Sequence, residues 1–158
     1  MRILIYSFND KIGDGLQKIT FIQCLKKIYP ESHVTYTTTN STTLKTLLRP
    51  LVKDCIDEFI EFNQIESSLI DLLIKNKVFE KKRYELIIDL QKVVIRTIKL
   101  KKISHDKFFS ASANFLFSDF KNKESLSFKN IYIEELYFNI FKIISKYNFE
   151  KIPNIHIP

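Results

Sequence analysis

"RILIYSFNDKIGDGLQ", residues 2–17, decides the fold. It opens on a nearly continuous apolar run, Ile3 to Phe8, of the kind expected for a strand buried on both faces of a parallel sheet. A polar loop interrupts the run. From Leu16 the period changes, and Ile19, Ile22, Leu25 and Ile28 recur at helical spacing until Pro30 stops the helix. A strand, a loop and a helix make the first two-thirds of a βαβ unit. The loop also holds Gly13 and Gly15, both glycines of the 158-residue chain, with the carboxylate of Asp14 between them.

Outward from that unit the alternation repeats. "HVTYTTT" (33–39) is β-branched and aromatic, and predicts a second strand. Asn40 or Ser41 caps a short helix over 42–48, closed by Pro50. "DEFIEFN" (57–63) is a third strand, and Ser67 or Ser68 caps a helix carrying Leu69, Leu72 and Leu73. "YELIIDLQ" (84–91) is the strongest later strand, residues 92–102 form a basic helix, and "DKFFSAS" (106–112) is a fifth strand. A polar stretch around 118–127 precedes an amphipathic helix over 131–147, with Leu136, Ile140, Ile143 and Ile144 on one side. The expected fold is α/β and Rossmann-like: a doubly wound, mostly parallel sheet of about five strands with helices on both faces, residues 1–158 forming one domain. Ligands of such sheets sit beyond the carboxyl ends of the strands, at the switch point beside the first strand, where the Gly13–Gly15 loop falls.

Composition bounds the partners. The chain is 45% hydrophobic and 27% charged, which places it among globular rather than disordered proteins. Its net charge of +7 suits nucleic acid, an anionic membrane face or a phosphorylated substrate, and equally a solvated lysine-rich surface. Nucleic-acid binding would want basic residues interleaved with exposed aromatics, whereas the phenylalanines here fall at core-like spacing. Cys24 and Cys55 lie far apart with no ligand spacing, as expected of buried thiols in a reducing compartment. No apolar run approaches the roughly 18–20 residues that span a bilayer, and the start is too short in apolar residues for a signal peptide. A cytoplasmic protein, at most touching a membrane from its inner face, is the expectation. His33, His105 and His156 are scattered and suggest no metal site.

The loop chemistry has two readings. Neither GxGxxG nor GxxxxGK[ST] is present, and an acid facing a phosphate would repel it, so the loop is not primarily an anion cradle. Asp14 precedes a helix, where Asp is a favoured N-cap. It is also placed to act as a general base on a substrate hydroxyl, with the flanking glycines permitting close approach. Asp89 and Gln91 close the "IIDLQ" strand near the same mouth: Asp89 suits a structural role, and Gln91 either hydrogen-bonds a sugar hydroxyl or satisfies loop backbone. Lys92, Arg96, Lys99, Lys101 and Lys102 make the basic helix, to be read as a solvated face or as a contact for anionic lipid or acceptor phosphates.

Three stretches carry a resemblance. "MRILIYSFNDKIGDGLQKITFIQCLKKIYPESHVTYTT" resembles the opening of the heptosyltransferase-like glycosyltransferases of family 9: a strand, a loop ending in Gly-Asp, a helix with "LKKIYP", then a strand. "YELIIDLQ" resembles a later strand of that family, and "NFEKIPNIHIP" resembles the stretch joining its two domains. The resemblance covers nearly all of this chain and about the first half of a typical member. It implies the N-terminal, acceptor-side domain of a GT-B enzyme, with the donor-binding C-terminal domain absent and no cofactor or catalytic metal. The implied reaction is inverting transfer of a sugar from a nucleotide-sugar to a cell-envelope glycan or glycolipid. Asp14 matches the proposed base, with Gly13, Gly15, Lys11, Lys18 and Gln91 as candidate substrate contacts. Ser7 and Phe8 stand where the family often has Arg or Lys, and Lys18, Ile19 and Thr20 replace its usual Thr-Thr-Pro. The alternative is a stand-alone, non-catalytic Rossmann-like module that binds a glycan or a protein. A receiver-like domain ranks lower, because Asp10 alone does not make the acidic set it needs.

Overall fold

A computed structural model describes residues 1–65 and 76–120, together with Lys142 and Ile144. The helices expected around 67–73 and over 131–147 lie outside the described residues, apart from those last two positions.

Five strands form one parallel sheet in the order β3-β2-β1-β4-β5. They are β1 (Arg2–Ser7), β2 (His33–Thr38), β3 (Glu58–Ile60), β4 (Arg83–Asp89) and β5 (Ser104–Ser110). The helices are α1 (Ile12–Ile28), the one-turn α2 (Arg49–Val52) and α3 (Val94–Lys101). The α/β, doubly wound architecture is the expected one. Strand β1 is central. It runs beside β2 from Arg2↔His33 to Ser7↔Thr38 and beside β4 from Ile3↔Leu86 to Tyr6↔Asp89.

The apolar run of β1 divides between two cores. Ile3 and Ile5 pack with Ile19, Phe21, Ile22 and Leu25 of α1 on one face. Leu4 and Tyr6 pack with Tyr84, Ile87 and Leu100 of α3 on the other. A strand covered on both sides has no wet face, hence no polar alternation. Each fully buried Ile or Leu here contributes about 1.5–3 kcal/mol.

Three local expectations are corrected. Helix α1 begins at Ile12, not Leu16, so Gly13, Asp14 and Gly15 are helical. The 42–48 segment is a run of turns, and Pro50 lies at the start of α2 rather than closing a helix. Proline fits there because the first helical N–H groups have no intrahelical acceptor to lose. Strand β3 is three residues long, because Phe62 and Gln64 adopt left-handed φ of 55° and 58° and turn the chain out of the sheet.

Candidate functional site

The strand order reverses between β1 and β4, so the crevice of the fold opens beyond their carboxyl ends. Two segments border it: residues 8–11, leading from β1 into α1, and residues 90–93, leading from β4 into α3. They are joined at the base by Leu90, whose N–H donates to the Tyr6 carbonyl at 3.0 Å.

Asp10 organises the first segment. It is 1% exposed, and both its oxygens are engaged. Oδ1 accepts from the Ser7 hydroxyl at 2.8 Å and from the ammonium of Lys18; Oδ2 accepts from the Tyr36 hydroxyl at 2.7 Å and the Thr42 hydroxyl at 3.0 Å. Lys18 also donates to Ser7 Oγ at 2.8 Å. An ion pair this deep is tolerated only when its remaining lone pairs and protons are matched, and here hydroxyls complete the set around the carboxylate. The Asp10 carbonyl in turn accepts from the N–H and hydroxyl of Thr43, both at 3.0 Å, fastening the segment to the turns after β2. Lys18 is therefore 3% exposed and holds the loop, a correction to its expected place as a substrate contact.

Asp14 is the third residue of α1 and is exposed; among the described residues its carboxylate has no hydrogen-bond or ion-pair partner. Lys11 occupies the N-cap position, with no side-chain cap bond, so Asp14 is not the cap. The two glycines differ. A Cβ on Gly15 would lie 2.7 Å from Leu48 Cδ1 and 2.8 Å from Thr43 Oγ1, so this glycine lets α1 press against the 43–48 turns. A Cβ on Gly13 would meet nothing within 4 Å, which leaves open space beside Asp14. Lys11 is exposed at the same helix start.

Asp89 ends β4 and is fully buried. Its Oδ2 accepts from the hydroxyls of Thr97 at 2.7 Å and Ser110 at 2.9 Å, and its Oδ1 from the Gln91 N–H at 2.9 Å. Burial pushes its pKa up to about 6, against the downward pull of those donors and of Arg96. It thus ties β4, β5 and α3 together and fixes the backbone of Gln91, whose half-buried side chain makes no hydrogen bond among the described residues.

The basic helix is only partly a solvated face: Lys92 and Lys102 are exposed, but the other three basic side chains are engaged. Lys99 is 6% exposed and donates to the Gln64 carbonyl at 2.6 Å. Lys101 donates to the Phe117 carbonyl at 2.6 Å, with its ammonium 5.7 Å from the Phe108 ring centre. Arg96 places its guanidinium carbon 3.6 Å from the centre of the Phe8 ring. Sequence reasoning missed Asp10 and Phe8. Their only signal was position, directly after a buried first strand.

Elsewhere, a groove of about 320 Å³ between the last turns of α1 and α2, lined by Lys26, Leu51 and Cys55 among others, belongs to the other end of α1. Among the described residues no cluster of His, Cys, Asp or Glu could hold a metal, and no helix is long and apolar enough to cross a membrane.

A five-stranded parallel sheet of order 3-2-1-4-5 with an acid near its switch point defines a Rossmann-like α/β fold. No protein-family model and no curated protein matches the chain. Solved structures do. A family 9 glycosyl transferase from Veillonella parvula superposes with a TM-score of 0.63 at 24% identity, over 89% of this chain and 40% of its own. The E. coli heptosyltransferase WaaC is similar both with ADP (TM-score 0.63) and with ADP-2-deoxy-2-fluoro heptose (0.65), at 14% identity in each, over 99% of this chain. The chain thus has the fold of part of these glycosyltransferases, and spans 40% to 51% of their length.

Proposed function

We propose that this chain is the acceptor-side domain of a glycosyltransferase, transferring a sugar from a nucleotide-sugar to a cell-envelope glycan or glycolipid. The observation that carries the reading is Asp14: an exposed carboxylate, without a partner among the described residues, at the switch point of a fold shared with family 9 glycosyltransferases.

The chemistry follows from that placement. The acceptor hydroxyl approaches Asp14 across the open side of Gly13. The carboxylate takes its proton as the oxygen attacks the anomeric carbon. The bond from that carbon to the nucleoside diphosphate breaks, the diphosphate leaves with the electron pair, and attack from the opposite side inverts the configuration. The Asp10–Lys18 pair keeps the loop in place, and Gln91 offers its amide to a sugar hydroxyl. The nucleotide-sugar is held mainly by a second domain. The +7 charge supports contact with an anionic membrane face, where a glycolipid acceptor would lie.

Transfer from a labelled nucleotide-sugar to a membrane extract, measured with the protein in the form its cell makes, tests this. Asp14→Asn should lower kcat by about a hundredfold or more while the circular dichroism stays unchanged. Undiminished turnover would remove the base assignment. Glycan binding without transfer by the unaltered protein would favour a non-catalytic module instead.

A further inference from the structure

Arg96 stands at the switch point with its hydrogen bonds unmade among the described residues, although its charge acts on Asp89. It lies in the first turn of α3, against the Phe8 ring that follows β1. None of its N–H donors meets an acceptor among the described residues, and its Nε is sealed from solvent. The neighbouring carboxylate does not serve it, since the oxygens of Asp89 are occupied by Thr97, Ser110 and Gln91. The contrast within the helix is sharp: Lys99 and Lys101 both end on backbone carbonyls. A buried donor left without an acceptor is destabilising. The contact with Phe8 offsets part of that and leaves every hydrogen bond of the guanidinium still to be made.

We infer that Arg96, held on Phe8, is an oxyanion-binding site for a phosphate or carboxylate group. A guanidinium offers a planar fork that takes two oxygens at once, and an aromatic platform beneath it limits the orientations of that fork. The platform and Asp14 belong to one continuous segment, with exposed Lys11 between them. An anionic group on Arg96 and a hydroxyl at Asp14 would then come from one molecule. That last step rests on the acceptor-side reading; the anion site itself stands without it.

The test titrates the isotopically labelled full chain with inorganic phosphate and, separately, with acetate at low salt, following amide and arginine Nε–Hε resonances. Saturable shifts centred on Phe8 and Arg96 are expected, and the stronger anion of the two identifies phosphate or carboxylate as the source. Arg96→Gln should weaken binding by about tenfold or more, the loss of one to two charge-assisted hydrogen bonds. Arg96→Lys, which keeps the charge and loses the fork, and Phe8→Leu, which removes the platform, should each weaken it by a few-fold. Asp14→Asn should not weaken it, so failure of the base assignment and failure of the anion site are read separately. Absence of saturable shifts with either anion would overturn the inference. So would binding left intact by Arg96→Gln in a folded chain.

Discussion

Lys18, in the second turn of α1, is ion-paired inside the protein with Asp10, in the loop that follows β1. The pair makes the entry to α1 a fixed piece of architecture, and Asp14 rides on it. Removing one partner leaves a charge buried without its counter-ion, which costs about 3–5 kcal/mol. Asp10→Ala and Lys18→Met should each show that loss in urea unfolding. The double variant Asp10→Ala/Lys18→Met should lose less than the two single losses added together, since no isolated charge remains. A loss under about 1 kcal/mol for either single change would contradict the buried pair.

The two glycines should respond oppositely to alanine. At Gly15 the new methyl lands 2.7 Å from Leu48 Cδ1 and 2.8 Å from Thr43 Oγ1, so Gly15→Ala should destabilise by about 1–2 kcal/mol. At Gly13 nothing obstructs it, and replacing a helical glycine should stabilise by about 0.5–1 kcal/mol. Thermal unfolding of the two variants side by side checks the order; equal midpoints would deny the close approach.

Asp89 predicts a pH signature. Its folded pKa of about 6 lies above the ordinary value of 3.8, so the folded state holds this proton more tightly than the unfolded chain. Its contribution is fully present below about pH 4 and is lost as pH rises through about 6. Asp57, Glu58 and Glu61 run the other way: burial raises each, but hydrogen bonds and nearby cations outweigh it and hold them low. Subtracting wild type from Asp89→Asn cancels those three. The stability of Asp89→Asn relative to wild type should climb by about 2–3 kcal/mol between pH 4 and pH 7. Denaturant midpoints at several pH values measure it, and a flat difference would contradict the raised pKa.

Much of the fold was legible because burial writes itself into residue type. The unbroken apolar runs of β1 and "LIID" in β4 marked strands covered on both faces, and the alternation with helices marked a parallel sheet; the strand order 3-2-1-4-5 is seen only in the structure. The start of α1 was read four residues late because two glycines disguised its first turn. Asp14 was visible through its glycines. Asp10 was not, since its partners Tyr36 and Thr42 come from 26 and 32 residues away and only folding brings them together. Arg96 was left between a solvated face and an anion contact for the same reason: its platform, Phe8, lies on another strand's loop.

The measurement that bears most directly on the central claim is made in the source organism. Its gene is deleted, the cell-envelope glycans are sized by mass spectrometry, and the strain is complemented with wild type or with Asp14→Asn. A glycan shortened by one sugar is expected, restored by wild type and not by a folded Asp14→Asn protein. An unchanged glycan on deletion, or full restoration by Asp14→Asn, would contradict that claim.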